Sequence, residues 1–310
     1  METFRFRAMN TDVLFAAEGE LSQLEEGFVE ARRFVDDSEK RFSRFLVDSE
    51  LSQLNRSDGD WFPASAEMVS VIFLALHCFE QTHGLFDPSI LPDLKRAGYV
   101  ESMDIIRQSG TVAVSDEIKP AKRPAFSEVK VDPLARTIFL PGGMSLDLGG
   151  IAKGWIVEQA ALVLSKYAHV CAVNAGGDMF LIGLPEGQFS WPIGLEDPRD
   201  PTQLLTTLEV PSGALATSSI SKRTWRQAEK IQHHLIDPRT GEAAETNWLS
   251  VTVIAPHTYL ADVYAKALLI AGPGEAEQIA SRESQISYLA VDRNGQCSGT
   301  FLSLEKMYGD

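Results

Sequence analysis

Cysteine is scarce in this chain. Its three thiols, Cys78, Cys171 and Cys297, lie far apart and are odd in number. No CxxC spacing occurs, which excludes a cysteine metal knuckle, and Cys78 and Cys171 sit in apolar runs and read as buried thiols. Positive charge is also short: 28 Lys and Arg stand against 43 Asp and Glu, a net charge of −15. Nucleic acid wants a basic face, so a nucleic-acid partner is excluded, and a chain this acidic must build a local basic pocket to hold any polyanion. Long apolar runs are missing. The longest, from Val69 to Phe79, is broken by Ser70, His77 and Cys78 and is too short for stable insertion in a bilayer. The opening METFRFRAMNTDVLF carries no apolar signal core, so a soluble, cytoplasmic protein is expected.

What is present suits a globular protein: 44% hydrophobic and 23% charged residues in 310, without internal repeat or low-complexity linker. Residues 4–17 read as a strand pair or one long strand. Leu21, Leu24, Phe28, Ala31 and Val35 recur at helical spacing over 21–37. Asp48 or Ser49 can cap a short helix that ends near Asn55. Residues 65–83 read as a helix closed by Gly84 as its C′ residue. Asp87-Pro88 is a turn initiator, 95–126 are expected to be exposed helix and loop, and 129–140 contain strand material. Beyond the middle of the chain, strands are expected at 170–173, 191–195, 205–210, 213–217 and 250–255. A nearly continuous apolar helix follows at 259–272, then a hairpin over 286–304 turning at Arg293-Asn294-Gly295. The mixed order implies an α+β fold with a largely antiparallel sheet and packed helices. A single domain over 1–310 is expected, with room for a helical insertion around 65–126.

The stretch MSLDLGGIAKGWIVE, Met144 to Glu158, organises the chain. Met144, Leu146 and Leu148 alternate with Ser145 and Asp147 as in a strand. Gly149-Gly150 then breaks it, and Ile156, Ala160, Val163 and Tyr167 mark one face of a helix. A Gly-rich turn feeding a helix N-terminus suits an anion, and Lys153 adds positive charge. Asp147 beside it points to a metal or to a hydrogen bond with sugar or base. The plain alternative is ordinary turn chemistry. Three further groups stand out. Asp262 and Lys266 lie four apart on the apolar helix, as an i,i+4 ion pair or as site residues aimed into a pocket. Of the adjacent His233 and His234, which a strand would send to opposite faces, one can serve as a general base or equally as a hydrogen-bonded turn histidine. The TSSISKR loop, with Lys222 and Arg223, would suit a phosphate; the plain alternative is a solvated polar loop.

Taken in order, these pieces resemble the ApbE-type FAD:protein FMN transferases. Met9-Asn10-Thr11 is similar to the family's Met-Gly-Thr. Phe42 to Asn55 matches its Phe-Ser-Arg-Tyr…Asp-Ser-Glu-Leu-Ser…Leu-Asn block, with Phe45 for the tyrosine. Gly84 to Pro88 matches Gly-Ala-Phe-Asp-Pro, Leu146 to Gly154 matches Leu-Asp-Leu-Gly-Gly-Ile-Ala-Lys-Gly, and Asn174 to Asp178 matches Asn-Ala-Gly-Gly-Asp. His234 to Gly241 looks like His-x-Ile-Asp-Pro-x-Thr-Gly, and Ser250 to Ala261 looks like the family's Ser-Val-Thr-Val strand and following helix. The resemblance implies a T-fold-like architecture and an enzyme that takes FAD with Mg²⁺, cleaves the pyrophosphate, joins FMN to a Ser or Thr of an acceptor protein and releases AMP. By position, Met9, Phe45, Leu85, Phe86, Asp87, Asp147, Lys153 and Ile236 would line FAD. Asp262 would be the metal acid, Gly150 would lend a carbonyl to the metal, and His234 would be the base. Two departures follow. Lys266 stands where the family's threonine ligates the metal, so part of the Mg²⁺ charge is expected to come from Lys266. The family's Thr-Ser-Gly loop is here Thr217-Ser218-Ser219, with Lys222 and Arg223 behind it. The rival readings are an FAD-binding protein without transfer and an FAD pyrophosphatase.

Overall fold

The computed structural model describes residues 1–109, 124–228 and 230–301. In chain order the elements are β1 (Glu2–Ala8), β2 (Thr11–Glu18), α1 (Leu21–Phe42), α2 (Glu50–Leu54), β3 (Trp61–Pro63), α3 (Ala66–Gln81), α4 (Leu91–Arg96), α5 (Met103–Ser109), β4 (Lys130–Asp132) and β5 (Thr137–Phe139). They continue with α6 (Ala152–Leu164), β6 (Val170–Ala175), β7 (Asp178–Ile182), β8 (Trp191–Asp197), β9 (Asp200–Val210), β10 (Gly213–Ser219), β11 (Thr224–Gln227) and β12 (Lys230–His233). The last are β13 (Ile236–Asp237), β14 (Glu242–Ala243), β15 (Trp248–Ala255), α7 (Thr258–Ala271), α8 (Glu275–Arg282), β16 (Ser287–Asp292) and β17 (Cys297–Ser298). No helix among the described residues is long and apolar enough to cross a membrane. The chain divides into two compact units. The first is Met1–Ser38, Lys153–Ser221 and Thr246–Asp310; the second is Glu39–Ala152 and Lys222–Glu245.

The first unit is built on an eight-stranded sheet in the order β1-β2-β6-β7-β10-β15-β16-β17. Every neighbouring pair is antiparallel, as the sequence implied. The hairpin of β8 and β9 packs Trp191, Leu195, Leu208 and Val210 onto Leu181, Leu215 and Leu289 of the sheet. α7 packs on β7, β10 and β15. α1 buries Leu24, Phe28, Ala31 and Val35 at the expected spacing but runs on to Phe42. Tyr167, expected on the face of α6, follows that helix's end, and its ring closes on Gly27 of α1, where a Cβ would come within 2.9 Å. Cys78, in the second unit, and Cys171, in the first, are fully buried, and burial pushes each thiol up to about 12. Because the thiolate is the reactive form, a disulfide reagent added to native protein should modify Cys297 alone. Modification of Cys78 or Cys171 at the same rate would contradict this packing.

The second unit holds α2 to α5 and the small sheets β3-β5-β4, β11-β12 and β13-β14. Three expectations are corrected here. Met144 to Leu148 alternates in burial, but among the described residues no strand pairs with it. Its polar groups are held locally instead. Leu146 N donates to Asn55 Oδ1 (2.7 Å), Asn55 Nδ2 donates to Leu146 O (3.0 Å), and Asp147 N donates to Pro88 O (2.8 Å). The C′ residue of α3 is His83 (φ 51°), not Gly84 (φ 80°). His83 N donates to Glu80 O and Gly84 N to Phe79 O, the two bonds of a Schellman ending. The segment after residue 95 is not merely exposed loop, because Tyr99, Met103 and Ile106 join Leu94, Ala97, Trp225 and Ile236 in a buried cluster. The rest of that segment, 110–123, and the end of the expected last hairpin, 302–304, lie outside the described residues.

Candidate active site

In the first unit the polar candidates gather at one end of the sheet. Antiparallel order brings the β1–β2 turn, the β6–β7 turn, the end of β10 and the start of β15 to the same side. Met9 (φ 52°) and Asn10 (φ 56°) both take left-handed backbone in the β1–β2 turn, the two-residue conformation that suits Asn-Gly and carries a cost for methionine. Replacing Met9 by glycine should therefore stabilise the fold by about 1 kcal/mol, read from denaturant unfolding. Gly176 and Gly177 make the neighbouring turn with φ of 62° and 99°. A Cβ on Gly176 would fall 2.3 Å from Thr11 Oγ1, so only glycine fits. Gly177 N donates to Asn174 Oδ1 (3.0 Å), and Thr217 and Thr252 share a hydroxyl hydrogen bond of 2.9 Å beside this turn.

Two buried ion pairs stand behind that polar end. Lys153 Nζ pairs with Asp178 Oδ2 and also reaches Ala175 O. Its side chain is 13% exposed and that of Asp178 only 1%. The sequence placed Lys153 as a positive charge for the Gly149-Gly150 turn, but the structure sets it on the carboxylate that follows the second Gly-Gly. On α7, Lys266 Nζ pairs with Asp262 Oδ1, with side-chain exposures of 15% and 2%. The i,i+4 pair is formed, and it is buried. One oxygen of each carboxylate, Asp178 Oδ1 and Asp262 Oδ2, is buried with no hydrogen-bond partner. α7 itself is positioned by Glu158 of α6, whose Oε2 accepts from Thr258 N (2.9 Å) while Oε1 meets His257 Nδ1 (2.8 Å). A carboxylate at a helix N-terminus meets both the free N–H groups and the dipole.

In the second unit Arg44 is the centre. Its side chain is 5% exposed and meets Asp147 Oδ2 at 2.5 Å through Nε. This is a charge contact without hydrogen-bond alignment at Nε. Its Nη2 donates to Tyr99 O (2.8 Å). The guanidinium lies 4.1 Å from the Phe45 ring centroid and 4.6 Å from that of Tyr99, and Tyr99 stacks on Trp225 at 5.2 Å. Burial raises the Tyr99 phenol above its usual value, with Arg223 and Arg44 partly opposing it. Asp147 Oδ1 also accepts from Gly149 N (2.8 Å). Gly149 and Gly150 are not among the positive-φ residues. A Cβ on Gly149 would sit 2.9 Å from Asp147 Oδ1, so a larger residue there would push this carboxylate aside. The expected free N–H groups of this turn are partly taken, since Ile151 N and Ala152 N both donate to Leu148 O. Leu85, Phe86 and Ile236 are buried, and Asp87 Oδ1 accepts from both N and Oγ of Ser89 at 2.7 Å. Phe45 and Ile236 thus share one cluster, while the Pro88 carbonyl ties the turn after Asp87 to Asp147.

The strand takes in only the first of the two histidines, since β12 ends at His233. His233 is buried at the end of β12, and its Nε2 donates to Ala244 O (3.1 Å). Burial holds its pKa below the ordinary 6.5, and that hydrogen bond opposes the shift. With a lowered folded-state value, the stability His233 contributes is complete above pH 6.5. It is lost as pH falls below 6.5, because the unfolded chain takes the proton first. Wild-type stability should therefore fall faster than that of His233→Gln between pH 7 and 5, by up to about 1.4 kcal/mol per pH unit, in urea unfolding at each pH. Parallel curves would refute it. His234 is half-buried and stands between β12 and β13. The turn after it is tied by Gly241 N to Asp237 O (2.8 Å) and by Arg96 Nη2 to Gly241 O (2.6 Å).

Arg44, Asp178 and Glu158 were not singled out from sequence. All three lie inside blocks that were, but nothing local names their partners.

Comparison with known proteins places the fold and the family. A FAD:protein FMN transferase of Klebsiella pneumoniae (strain 342) is 25% identical over 280 residues, covering 87% of this chain and 77% of its own. One of Treponema pallidum (strain Nichols) is 29% identical over 243 residues, 73% of this chain and 66% of its own. Among solved structures, the ApbE protein of Thermotoga maritima superposes with a TM-score of 0.83 at 24% identity over 98% of both chains. The apo flavinyl transferase ApbE of Pseudomonas stutzeri superposes with a TM-score of 0.79 at 20% identity, over 100% of this chain and 97% of that one. The ApbE family matches residues 9–290, a span that takes in the β1–β2 turn, both Gly-Gly turns, the His234 turn and the buried pair on α7, and the chain belongs to that family.

Proposed function

We propose that the protein is an FAD:protein FMN transferase. The observation that carries the reading is the pair on α7: an acid and an ammonium buried on an otherwise apolar helix, with one carboxylate oxygen unpartnered, in a chain whose relatives bear that activity in their names. In the reaction the hydroxyl oxygen of an acceptor Ser or Thr attacks the phosphorus of the FMN half of FAD. The bond from that phosphorus to the bridging oxygen breaks, AMP leaves, and the hydroxyl proton passes to a base. His234 is that base. Met9, Phe45, Leu85, Phe86, Asp87, Asp147, Lys153 and Ile236 line FAD in this reading. Arg44 supports it by fixing both Asp147 and the Phe45 ring.

Magnesium is the finer point. The resemblance offers it Asp262 and the carbonyl of Gly150. Asp262 Oδ2 is available, but the other oxygen carries the Lys266 ammonium, which has no lone pair for a metal and repels one. Among the described residues no group of three or more His, Cys, Asp or Glu could hold a metal ion. These residues do not fit a protein-held divalent cation.

The test is purified protein with FAD and an acceptor carrying a threonine target, with AMP followed by chromatography and acceptor mass by spectrometry. AMP together with the mass gain of FMN is expected. AMP without mass gain would make the protein a pyrophosphatase, and bound FAD without AMP would make it a binding protein.

A further inference from the structure

The structure assigns to Lys266 the charge-neutralising role at Asp262 that a divalent cation would otherwise fill: we propose that this site works on its own ammonium and takes up no metal. The inference rests on the reading above for the identity of the anion served, a dinucleotide pyrophosphate, but not for the charge arrangement itself.

Four observations support it. First, Asp262 and Lys266 are the only charged residues in Thr258–Ala271, and a buried ion pair is commonly no more stable than apolar residues of the same volume. Stability alone does not account for the pair. Second, the ammonium is under-used. It has three donors, and its contacts are Asp262 Oδ1 and Asp262 O (3.3 Å), both on one residue, so a donor remains for an incoming anion. Third, Asp262 Oδ2 is buried and unpartnered, an acceptor that a hydroxyl donor, and not the pyrophosphate, can satisfy. Fourth, the arrangement is doubled. Lys153 holds Asp178 in the same way, again leaving one buried carboxylate oxygen without a partner. Met179, next to Asp178, accepts from Thr258 Oγ1 (3.3 Å), one turn before Asp262 on α7. Two fixed ammonium groups, each held on its own buried carboxylate, thus stand in this unit.

The test uses the full-length protein and Mn²⁺ as the probe. Mn²⁺ titration without FAD, read by electron paramagnetic resonance, should show no tight site in the wild type. K266T, which offers a neutral hydroxyl in place of the ammonium, should gain one tight site per chain. FMN transfer by the wild type should change less than about twofold in excess EDTA. Transfer by K266T should fall about a hundredfold in EDTA and return with Mg²⁺, the scale of losing a preorganised charge partner. One tight Mn²⁺ site in the wild type, or wild-type transfer that collapses in EDTA, would overturn the inference. So would K266T that folds, by circular dichroism, and binds no Mn²⁺. If no variant transfers FMN under any condition, the proposed activity fails, while the resonance data still decide whether Lys266 stands in for the metal. If K266T does not fold, the wild-type resonance and EDTA arms decide it alone.

Discussion

Replacing Asp262 by alanine should lower FMN transfer by at least about a hundredfold and destabilise the protein by about 3–5 kcal/mol. Both effects come from one event. Asp262 is 2% exposed and holds the Lys266 ammonium; without it a positive charge is left in an apolar helix core beside Leu260, Val263 and Tyr264. The chain must then deprotonate Lys266 or open to admit water. A double variant, Asp262→Ala with Lys266→Met, removes both charges and should recover most of the stability but none of the transfer. The coupling between the two positions, read from urea unfolding as a double-mutant cycle, should be large and favourable in the native protein. If Asp262→Ala unfolds like the wild type, the pair is not buried as described.

Arg44→Met carries the second large effect, an expected loss of about 3–5 kcal/mol in the unit that holds it. The substitution strands the Asp147 carboxylate and frees the Tyr99 carbonyl. It also removes the cation that lies against the Phe45 and Tyr99 rings. Arg44→Lys should rescue little, because an ammonium lacks the planar fork that rests against both rings while reaching a carboxylate and a carbonyl. Thermal unfolding with tryptophan fluorescence gives a local readout, since Trp225 stacks on Tyr99. An Arg44→Lys variant as stable as the wild type would show that charge alone, not the planar fork, holds this cluster.

Much of this architecture was legible in the residues, and the reasons differ from place to place. α7 announced itself by its apolar run, and the antiparallel sheet by short alternating strands with Gly turns. Asp262 and Lys266 stood out because charges in such a helix are unexpected. Met144 to Leu148 misled because alternation reports one-sided burial and not pairing: Asn55 and Pro88 supply from a distance the hydrogen bonds a neighbouring strand would have given. The C′ residue of α3 misled because glycine is the common choice there, while His83 takes the left-handed position. Lys153 was read toward the nearer Gly-Gly turn, since a helical lysine gives no local sign that its partner, Asp178, is 25 positions along the chain. Arg44 was hidden for the same reason. Its partners, at 99 and 147, meet it only after folding.

The pairing order of the large sheet also sets a timetable for synthesis. β1 and β2 pair at once, but the other edge of β2 joins β6, with Glu18 opposite Val170. At about 5–20 residues per second, a nascent chain carries that edge unpaired for about ten to thirty seconds. During that time Val13, Phe15 and Ala17, all buried in the finished sheet, stand on a strand that other chains can extend. The nascent protein is therefore most open to strand-mediated aggregation before its sixth strand emerges, and a holdase that covers the first eighteen residues would act where protection matters most.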